Sequence, residues 1–221
     1  MPNITSEING ILGIDDAFKA PSRVLEVLFD RSLREHVFAQ FLELFNYKLD
    51  ADFFHTYFQE EAAERKKLKQ DFTPMEITNM IASLTADSED NGMRFEATAG
   101  TGGMTIALWA RDRAKHNPWR YNPSDYLYVC EELSNRAYPF LAFNMAIRGM
   151  NGVAIHCDSL SRECCGVILV QNDSEHPEGF SSINVMPYNK DTEAMFHVKF
   201  TKQAYKPHIE SPNPFECETD Q

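Results

Sequence analysis

Apolar positions recur at three- and four-residue steps in the first part of the chain and form short runs later. The early spacing is typical of amphipathic helices, and it extends over residues 22–45 and again over residues 53–68. Residues up to about Asn9 are predicted to form a loose tail. The pattern predicts helices first, followed by alternating strands and helices.

Three apolar runs in the second half predict strands over residues 126–130, 152–157 and 166–170. A helical stretch over residues 137–147 lies between the first two. Strands that alternate with helices imply right-handed crossovers and a parallel sheet covered on both faces. Ligands of such sheets bind beyond the carboxyl ends of the strands. Residues 196–201 are a further candidate strand.

A polar side chain follows each predicted strand. These residues are Glu96, after an apolar lead-in at Met93 and Phe95, and then Glu131, Asp158 and Asn172. Because the carboxyl ends of parallel strands meet at one edge of a sheet, we expect these four side chains to lie together.

Residues 95–104 read F-E-A-T-A-G-T-G-G-M and place three glycines directly after the lead-in strand. Glycine lets the main chain turn tightly and approach a ligand that a Cβ atom would obstruct. The apolar residues that follow continue as a helix, whose first N–H groups are unpaired. Glycine-rich turns also occur in structural loops. The turn therefore predicts a ligand site only together with the acids around it.

The formal net charge of −12 limits the choice of partner. A protein that grips duplex DNA alone normally presents a basic face, and the basic residues cluster only over residues 65–69. We interpret that cluster as a solvated helix face. Either a partner supplies the grip on DNA, or DNA is not a ligand.

The cysteine pattern and the N-terminal sequence bear on the cellular compartment in which the protein is expected. The chain has five cysteines without C-x-x-C spacing, and its histidines lack metal-ligand spacing. No apolar run approaches membrane-spanning length, and the N-terminus lacks a signal-peptide layout. We predict a cytoplasmic protein with reduced thiols, no metal and no membrane contact.

The acids suit an adenosine-bearing cofactor. Glu131 can accept hydrogen bonds from ribose hydroxyls, and Asp158 can accept one from the exocyclic amine of adenine. Each also has a plainer interpretation, Glu131 as a helix cap and Asp158 as a turn former. A nicotinamide dinucleotide, a nucleotide and S-adenosylmethionine all remain open. Against the dinucleotide, the acid follows the glycines by more than about 20 residues and the turn is not G-x-G-x-x-G.

With these motifs the chain resembles the adenine-N6 DNA methyltransferases, most closely the modification subunits of type I restriction-modification systems. Residues 70–74 (Q-D-F-T-P) look like that family's Q-F-Y-T-P segment, and residues 96–104 look like its D-P-A-C-G-T-G-G-F turn. Residues 127–133 resemble its ribose-binding segment. Residues 144–149 and 157–160 resemble its N-L-x-x-H-G and G-D-S-L elements, and the order and spacing agree from about residue 70 to residue 170.

The resemblance implies an α/β fold with a Rossmann-like class I S-adenosylmethionine-dependent methyltransferase core. It implies an N-terminal helical segment over residues 1–69 and a methyltransferase domain over residues 70–221 that is short at its C-terminal end. S-adenosyl-L-methionine is the implied cofactor. The residues expected to bind it are Phe72, Thr73, Pro74, Glu96, Thr98, Gly100, Thr101, Gly102, Gly103, Glu131 and Asp158.

The family's catalytic tetrapeptide, N-P-P-Y or N-P-P-F, is altered in this chain. Its amide and carbonyl hold the target amine, and its aromatic ring stacks on the flipped base. Residues 171–174 read Q-N-D-S instead, and a Pro-Tyr pair appears only later, in N-V-M-P-Y. The catalytic candidates are therefore Asn172 on the amine with Pro187 and Tyr188 at the base. Tyr188 also suits a loop aromatic packed on the surface.

Three functions are consistent with these observations. The leading one is an S-adenosylmethionine-dependent adenine-N6 DNA methyltransferase that acts with a specificity or other partner subunit for DNA, as a homo- or hetero-oligomer. The second is a catalytically inactive S-adenosylmethionine-binding, regulatory or anti-restriction protein that docks to a restriction-modification complex. The third is methylation of an acceptor other than DNA.

Overall fold

The computed structural model describes residues 4–58, 77–78, 80–81, 92–115, 121–172, 174, 176 and 178–212. The helices of this part are α1 (Ile4–Leu12), α2 (Ala20–Leu28), α3 (Arg31–Leu44), α4 (Gly103–Ala114), α5 (Tyr138–Ile147) and α6 (Lys190–Phe196), with 3-10 turns at Ala17–Lys19 and Pro123–Asp125. The strands are β1 (Met93–Glu96), β2 (Leu127–Glu132), β3 (Gly152–Cys157), β4 (Glu163–Gln171), β5 (Ser182–Val185) and β6 (Lys199–Phe200).

The strands form one sheet in the order β1-β2-β3-β4-β5, with β6 beside β4. Strands β1, β2 and β3 are parallel neighbours. Strand β4 is antiparallel to β3, and β5 is antiparallel to β4. Strand β5 therefore runs in the same direction as the first three. The result is the predicted Rossmann-like α/β architecture with a mostly parallel sheet.

The direction predicted for β4 is wrong. Val153 pairs with Leu169 and Ile155 pairs with Val167 in antiparallel register. Residues 158–162 alone join β3 to β4, whereas a parallel crossover needs about a dozen residues or more. Strand β4 thus begins at the carboxyl edge of β1–β3 and ends at the opposite edge of the sheet.

The expected loose tail is also wrong, because residues from Ile4 form α1. Ile8 and Leu12 are buried against the other N-terminal helices. The long amphipathic stretch divides at Asp30, whose carboxylate caps α3 by accepting the Leu33 N–H at 3.0 Å. The helices predicted over residues 22–45 are therefore α2 and α3, and α1 forms where a tail was predicted.

One large core joins the N-terminal helices to the sheet. Phe38 and Phe41 of α3 contact Phe143 of α5, with ring centroids 4.7 and 4.9 Å apart. The same cluster includes buried residues of β2, β3, β4 and β5. The helical segment and the α/β part thus share a core, while the predicted boundary at residue 69 lies outside the described residues.

The second face of the sheet carries a smaller apolar cluster. Val153 and Ile155 of β3 pack there with Phe196 of α6. Among the described residues this face has only that short helix, which differs from the helices expected on both faces. Met93 and Phe95 of β1 accordingly stay 53% and 61% exposed. Within the described ranges, no helix combines the length and apolarity needed to cross a membrane.

Candidate cofactor site

The glycine turn links β1 to α4 at the carboxyl edge of the sheet. Gly100 has φ 59° and Gly102 has φ 96°, and Gly102 occupies the position that caps α4. Thr98 also has a positive φ of 60°. The Ala99 N–H donates to the Glu131 carbonyl at 2.8 Å, which ties the turn to β2. The two glycines adopt a backbone conformation that other residues rarely adopt, so the turn depends on them.

The two adjacent acids at the end of β2 point in opposite directions. The Glu132 carboxylate accepts the Gly100 N–H at 2.7 Å and the Ser134 N–H at 2.6 Å. The Glu131 carboxylate instead forms a 2.8 Å ion pair with Arg162. It lies on the second face of the sheet, at a cleft of about 400 Å³ lined also by Phe95 and Val129. Glu132 is therefore the acid that reaches the glycine turn.

Glu96 lies at the end of β1, next to the same turn. Its carboxylate accepts a hydrogen bond from the Thr105 hydroxyl of α4 at 2.5 Å. Burial raises the pKa of Glu96 to about 7, the charge of Glu132 adds to that rise, and the Thr105 hydrogen bond opposes it. Burial also raises the pKa of Glu132. Two desolvated acids thus flank the turn.

This pair of acids fits the chemistry of S-adenosylmethionine. Glu96 and Glu132 form no ion pair with a lysine or arginine of the described chain. The methyl donor carries a sulfonium and an ammonium group, and a positive ligand would relieve the repulsion between the two carboxylates. Its ribose offers hydroxyl donors for the remaining carboxylate lone pairs.

A buried polar network connects the glycine turn to the core. The Thr101 hydroxyl donates to the Asp52 carboxylate at 2.5 Å, and the Asn144 amide donates to the same carboxylate at 2.8 Å. Arg148 donates to the Asn144 side chain and to the Leu49 carbonyl. Thr101 therefore turns its hydroxyl to the core.

The carboxylate of Asp158 is used within its own loop. It accepts the N–H groups of Leu160 at 2.9 Å and Ser161 at 3.4 Å. These backbone donors lower the pKa of Asp158. The loop lies at the carboxyl edge, after β3, as expected. The plainer interpretation of Asp158 as a turn former describes the contacts observed.

Asn172 lies at the edge of the sheet opposite the glycine turn. Its backbone N–H donates to the Asn151 side chain at 2.8 Å, and its amide nitrogen donates to the carbonyls of Gly149 and His176. Its amide oxygen accepts two hydrogen bonds from Ser174. The expectation that Asn172 joins the other strand-end residues is therefore wrong, because β4 is antiparallel to β3.

Pro187 and Tyr188 follow β5 and lie at the carboxyl edge, but far from β1. Four strand spacings of about 4.8 Å separate β1 from β5, or roughly 19 Å. The Tyr188 hydroxyl donates to the Cys165 carbonyl at 2.9 Å and accepts the Tyr205 N–H at 3.1 Å. Its ring packs 4.7 Å from that of Phe200. These contacts are those of a packed loop aromatic.

The predicted cofactor residues Phe72, Thr73 and Pro74 lie outside the described residues. The structure brings together Thr98, Gly100, Gly102 and Gly103 in the turn, with Glu96 beside them. Glu132, which the sequence reasoning passed over in favour of Glu131, completes the group.

A Rossmann-like sheet whose carboxyl edge carries a glycine turn, a helix N-terminus and two acids is an arrangement typical of proteins that bind nucleoside cofactors. The two acids, Glu96 and Glu132, form no ion pair with a cation among the described residues. They therefore favour a nucleoside cofactor that carries positive charge.

The chain belongs to the N-6 DNA methylase family, whose family model matches residues 50–195. That range covers about two thirds of the chain and contains β1 to β5. No curated protein and no solved structure matches the chain. The family supports DNA adenine methylation as the general class of activity, and S-adenosylmethionine is the methyl donor that it implies.

Proposed function

We propose that this protein binds S-adenosylmethionine at the glycine turn. It serves in the cytoplasm as a modification-type subunit for adenine-N6 methylation of DNA, with a partner subunit that recognises the DNA. The observation that carries the proposal is the pair of acids on either side of the turn, Glu96 and Glu132, which no cation of the described chain neutralises.

We assign the ribose hydroxyls to Glu132 rather than to Glu131. Glu132 already contacts the turn through Gly100, whereas Glu131 is neutralised by Arg162 on the other face of the sheet. Glu96 is assigned to the positive part of the ligand because its carboxylate is desolvated and lies at the end of β1. When bound, S-adenosylmethionine supplies the methyl group.

The adjacent acids provide a matched pair of variants for calorimetry with S-adenosylmethionine. Glu132→Gln is expected to weaken binding by about tenfold or more, because hydrogen bonds to a charged acceptor contribute about 1.5–3 kcal/mol. Glu131→Gln changes the neighbouring residue in the same way and is expected to leave binding within about twofold of the parent protein.

If Glu131→Gln weakened S-adenosylmethionine binding more than Glu132→Gln did, the ribose contact would be assigned to Glu131. Absence of S-adenosylmethionine binding by the parent chain would remove the proposed function altogether. Circular dichroism of both variants checks that the fold persists, since Glu131→Gln removes the ion pair of Arg162.

The positions of Asn172 and Tyr188 support a second candidate function, a catalytically silent protein that binds the cofactor and docks to a restriction-modification complex. Asn172 lies at the far edge of the sheet with its amide fully engaged, and the Tyr188 hydroxyl is held by the backbone. Neither residue reaches the glycine turn. The catalytic tetrapeptide is thus altered in sequence, and the residues proposed to replace it lie apart from the glycine turn.

Transfer of a tritiated methyl group from S-adenosylmethionine distinguishes the two candidates. The purified chain is tested alone and with its co-purifying partner on adenine-containing duplex DNA. Transfer that depends on Glu132 supports the enzyme. Cofactor binding without transfer in either preparation supports the silent protein.

A further inference from the structure

A short basic segment follows α6 in this acidic protein. Residues 194–209 contain three lysines and no aspartate or glutamate, although the whole chain carries a net charge of −12. We name Lys199, Lys202 and Lys206 the lysine strip. Without these three positive charges the rest of the chain would have a net charge of −15 (−12 minus 3). The strip also lies beyond residues 50–195, the range matched by the family.

The three lysines are exposed and form no ion pair with a described acid. Several other cations of the described chain are neutralised. Examples are the pairs Lys19–Asp15, Arg31–Glu35 and Lys190–Glu193. The strip therefore presents positive charge to solvent. Two acids lie near Lys199 and reduce the local charge. Glu163 is exposed opposite it in the β4–β6 pairing, and the Glu193 carboxylate accepts the N–H of the next residue, Phe200, at 2.8 Å.

The backbone of the strip is held in place by β4 and the loop before it. The Lys199 N–H donates to the Arg162 carbonyl at 2.8 Å, and the Thr201 N–H donates to the Cys164 carbonyl at 3.0 Å. The Ala204 N–H donates to the Cys165 carbonyl at 2.9 Å. Charges on a fixed backbone lose less conformational entropy on binding than charges on a mobile tail.

A chain of direct contacts connects the strip to the glycine turn. The Tyr205 hydroxyl lies 2.5 Å from Nδ1 of His156, and Nε2 of the same ring lies 3.2 Å from the Leu133 carbonyl oxygen. Leu133 directly follows Glu132, which accepts the Gly100 N–H. Tyr205 lies between Lys202 and Lys206 in sequence and is buried. The strip therefore lies at the carboxyl edge of the sheet, as the glycine turn does, but beside β4.

We propose that the lysine strip binds the phosphate backbone of duplex DNA at the carboxyl edge of the sheet, the edge that also carries the cofactor site. This inference rests on the proposed function for the identity of the nucleic acid. Closely spaced lysines on a fixed backbone suit phosphates, since each neutralised phosphate releases counterions and adds affinity without sequence preference. The strip positions the duplex, and sequence recognition belongs to the partner subunit.

The test measures binding of a fluorescein-labelled duplex of about 20 base pairs by anisotropy, with salt varied from about 50 to 200 mM. The triple variant Lys199→Gln, Lys202→Gln, Lys206→Gln is expected to weaken binding about tenfold or more. It should also reduce the slope of log affinity against log salt by about 0.9 for each lost phosphate contact. The control triple variant Lys19→Gln, Arg31→Gln, Lys48→Gln removes the same net charge from the N-terminal helical part and should change affinity by less than about threefold.

Equal losses of DNA affinity in the two triple variants would show that net charge alone is responsible, and would overturn the proposal that the strip binds DNA. The strip would also be refuted if the parent chain did not bind the duplex, or if polyglutamate or single-stranded RNA competed as well as unlabelled duplex. Calorimetry with S-adenosylmethionine separates this inference from the proposed function. A triple variant of the strip that no longer binds DNA but still binds the cofactor would support the proposal. If the parent chain bound DNA through the strip but did not bind the cofactor, only the proposed function would be refuted.

Discussion

At the scale of single residues, the end of β2 shows how a strand gives two adjacent acids different surroundings. Successive side chains of a strand point to opposite faces, so Glu131 and Glu132 have different partners although they have the same chemistry. One is neutralised by Arg162, and the other accepts a backbone N–H of the glycine turn. The acid that has no cation beside it is the one left available to a ligand.

Glu96 is expected to make the stability of the ligand-free protein depend on pH. Its pKa is about 7 in the folded protein, against an ordinary value of 4.5. Between these values the folded state keeps a proton that the unfolded chain has lost. Stability therefore falls as pH rises from about 4.5 to 7, by at most about 1.4 kcal/mol per unit. Urea unfolding at steps across this range measures the slope.

Glu96→Gln removes the titrating group and is expected to flatten that slope, which would make the variant about 1–3 kcal/mol more stable than the parent near pH 8. Glu43→Gln, on the exposed side of α3, serves as the control and should follow the parent profile. An unchanged slope in Glu96→Gln would assign the pH dependence to another group.

At the scale of elements, the turn between β1 and α4 depends on one close contact. A Cβ atom on Gly102 would lie 2.9 Å from Cδ1 of Leu141, and its φ of 96° is unfavourable for other residues. Gly102→Ala is expected to destabilise the protein by about 1–3 kcal/mol and to weaken S-adenosylmethionine binding. Urea unfolding and calorimetry measure the two effects.

Gly10 provides the matched control for that substitution. It lies within α1, and a Cβ atom added there would meet nothing within 4 Å. Gly10→Ala is expected to stabilise the protein by up to about 1 kcal/mol, since alanine favours a helix interior over glycine. Similar losses in both variants would contradict the strain assigned to Gly102.

The hairpin of β3 and β4 decides which strand ends meet. Strand positions follow from apolar runs, and β3 was predicted at its observed bounds. Strand direction depends on the connection, and the residues 158–162 between β3 and β4 are too few for a parallel crossover. The length of this link is the sequence signal that places Asn172 away from the glycine turn.

At the scale of the whole molecule, the C-terminal part of the described chain joins the N-terminal helices to β5. Glu210 forms a buried bidentate pair with Arg34 of α3 and accepts the Ile183 N–H at 3.0 Å. His208 also contacts its carboxylate at 2.8 Å. These hydrogen bonds lower the pKa of Glu210 against the effect of burial. The pair connects parts of the chain that are remote in sequence.

Glu210→Ala is expected to cost about 3–5 kcal/mol of unfolding free energy, because it leaves the buried Arg34 guanidinium without a counter-charge. Chemical denaturation measures this loss. The double variant Arg34→Met, Glu210→Leu removes both charges and should recover most of the stability. Asp15→Ala, which breaks the exposed pair with Lys19, should change stability little. A small loss in Glu210→Ala would mean that the pair is not buried in solution.

Local patterns in the sequence determined much of this protein. They located β1, β3 and the α/β part, and they identified the glycine turn with Glu96 beside it, because periodicity and turn chemistry are properties of neighbouring residues. The tertiary structure alone decided that Glu132 faces the turn, that Asn172 lies at the opposite edge, and that the lysine strip shares the carboxyl edge with the glycine turn. Those outcomes depend on strand pairing and on packing between distant segments, which no short stretch of sequence specifies.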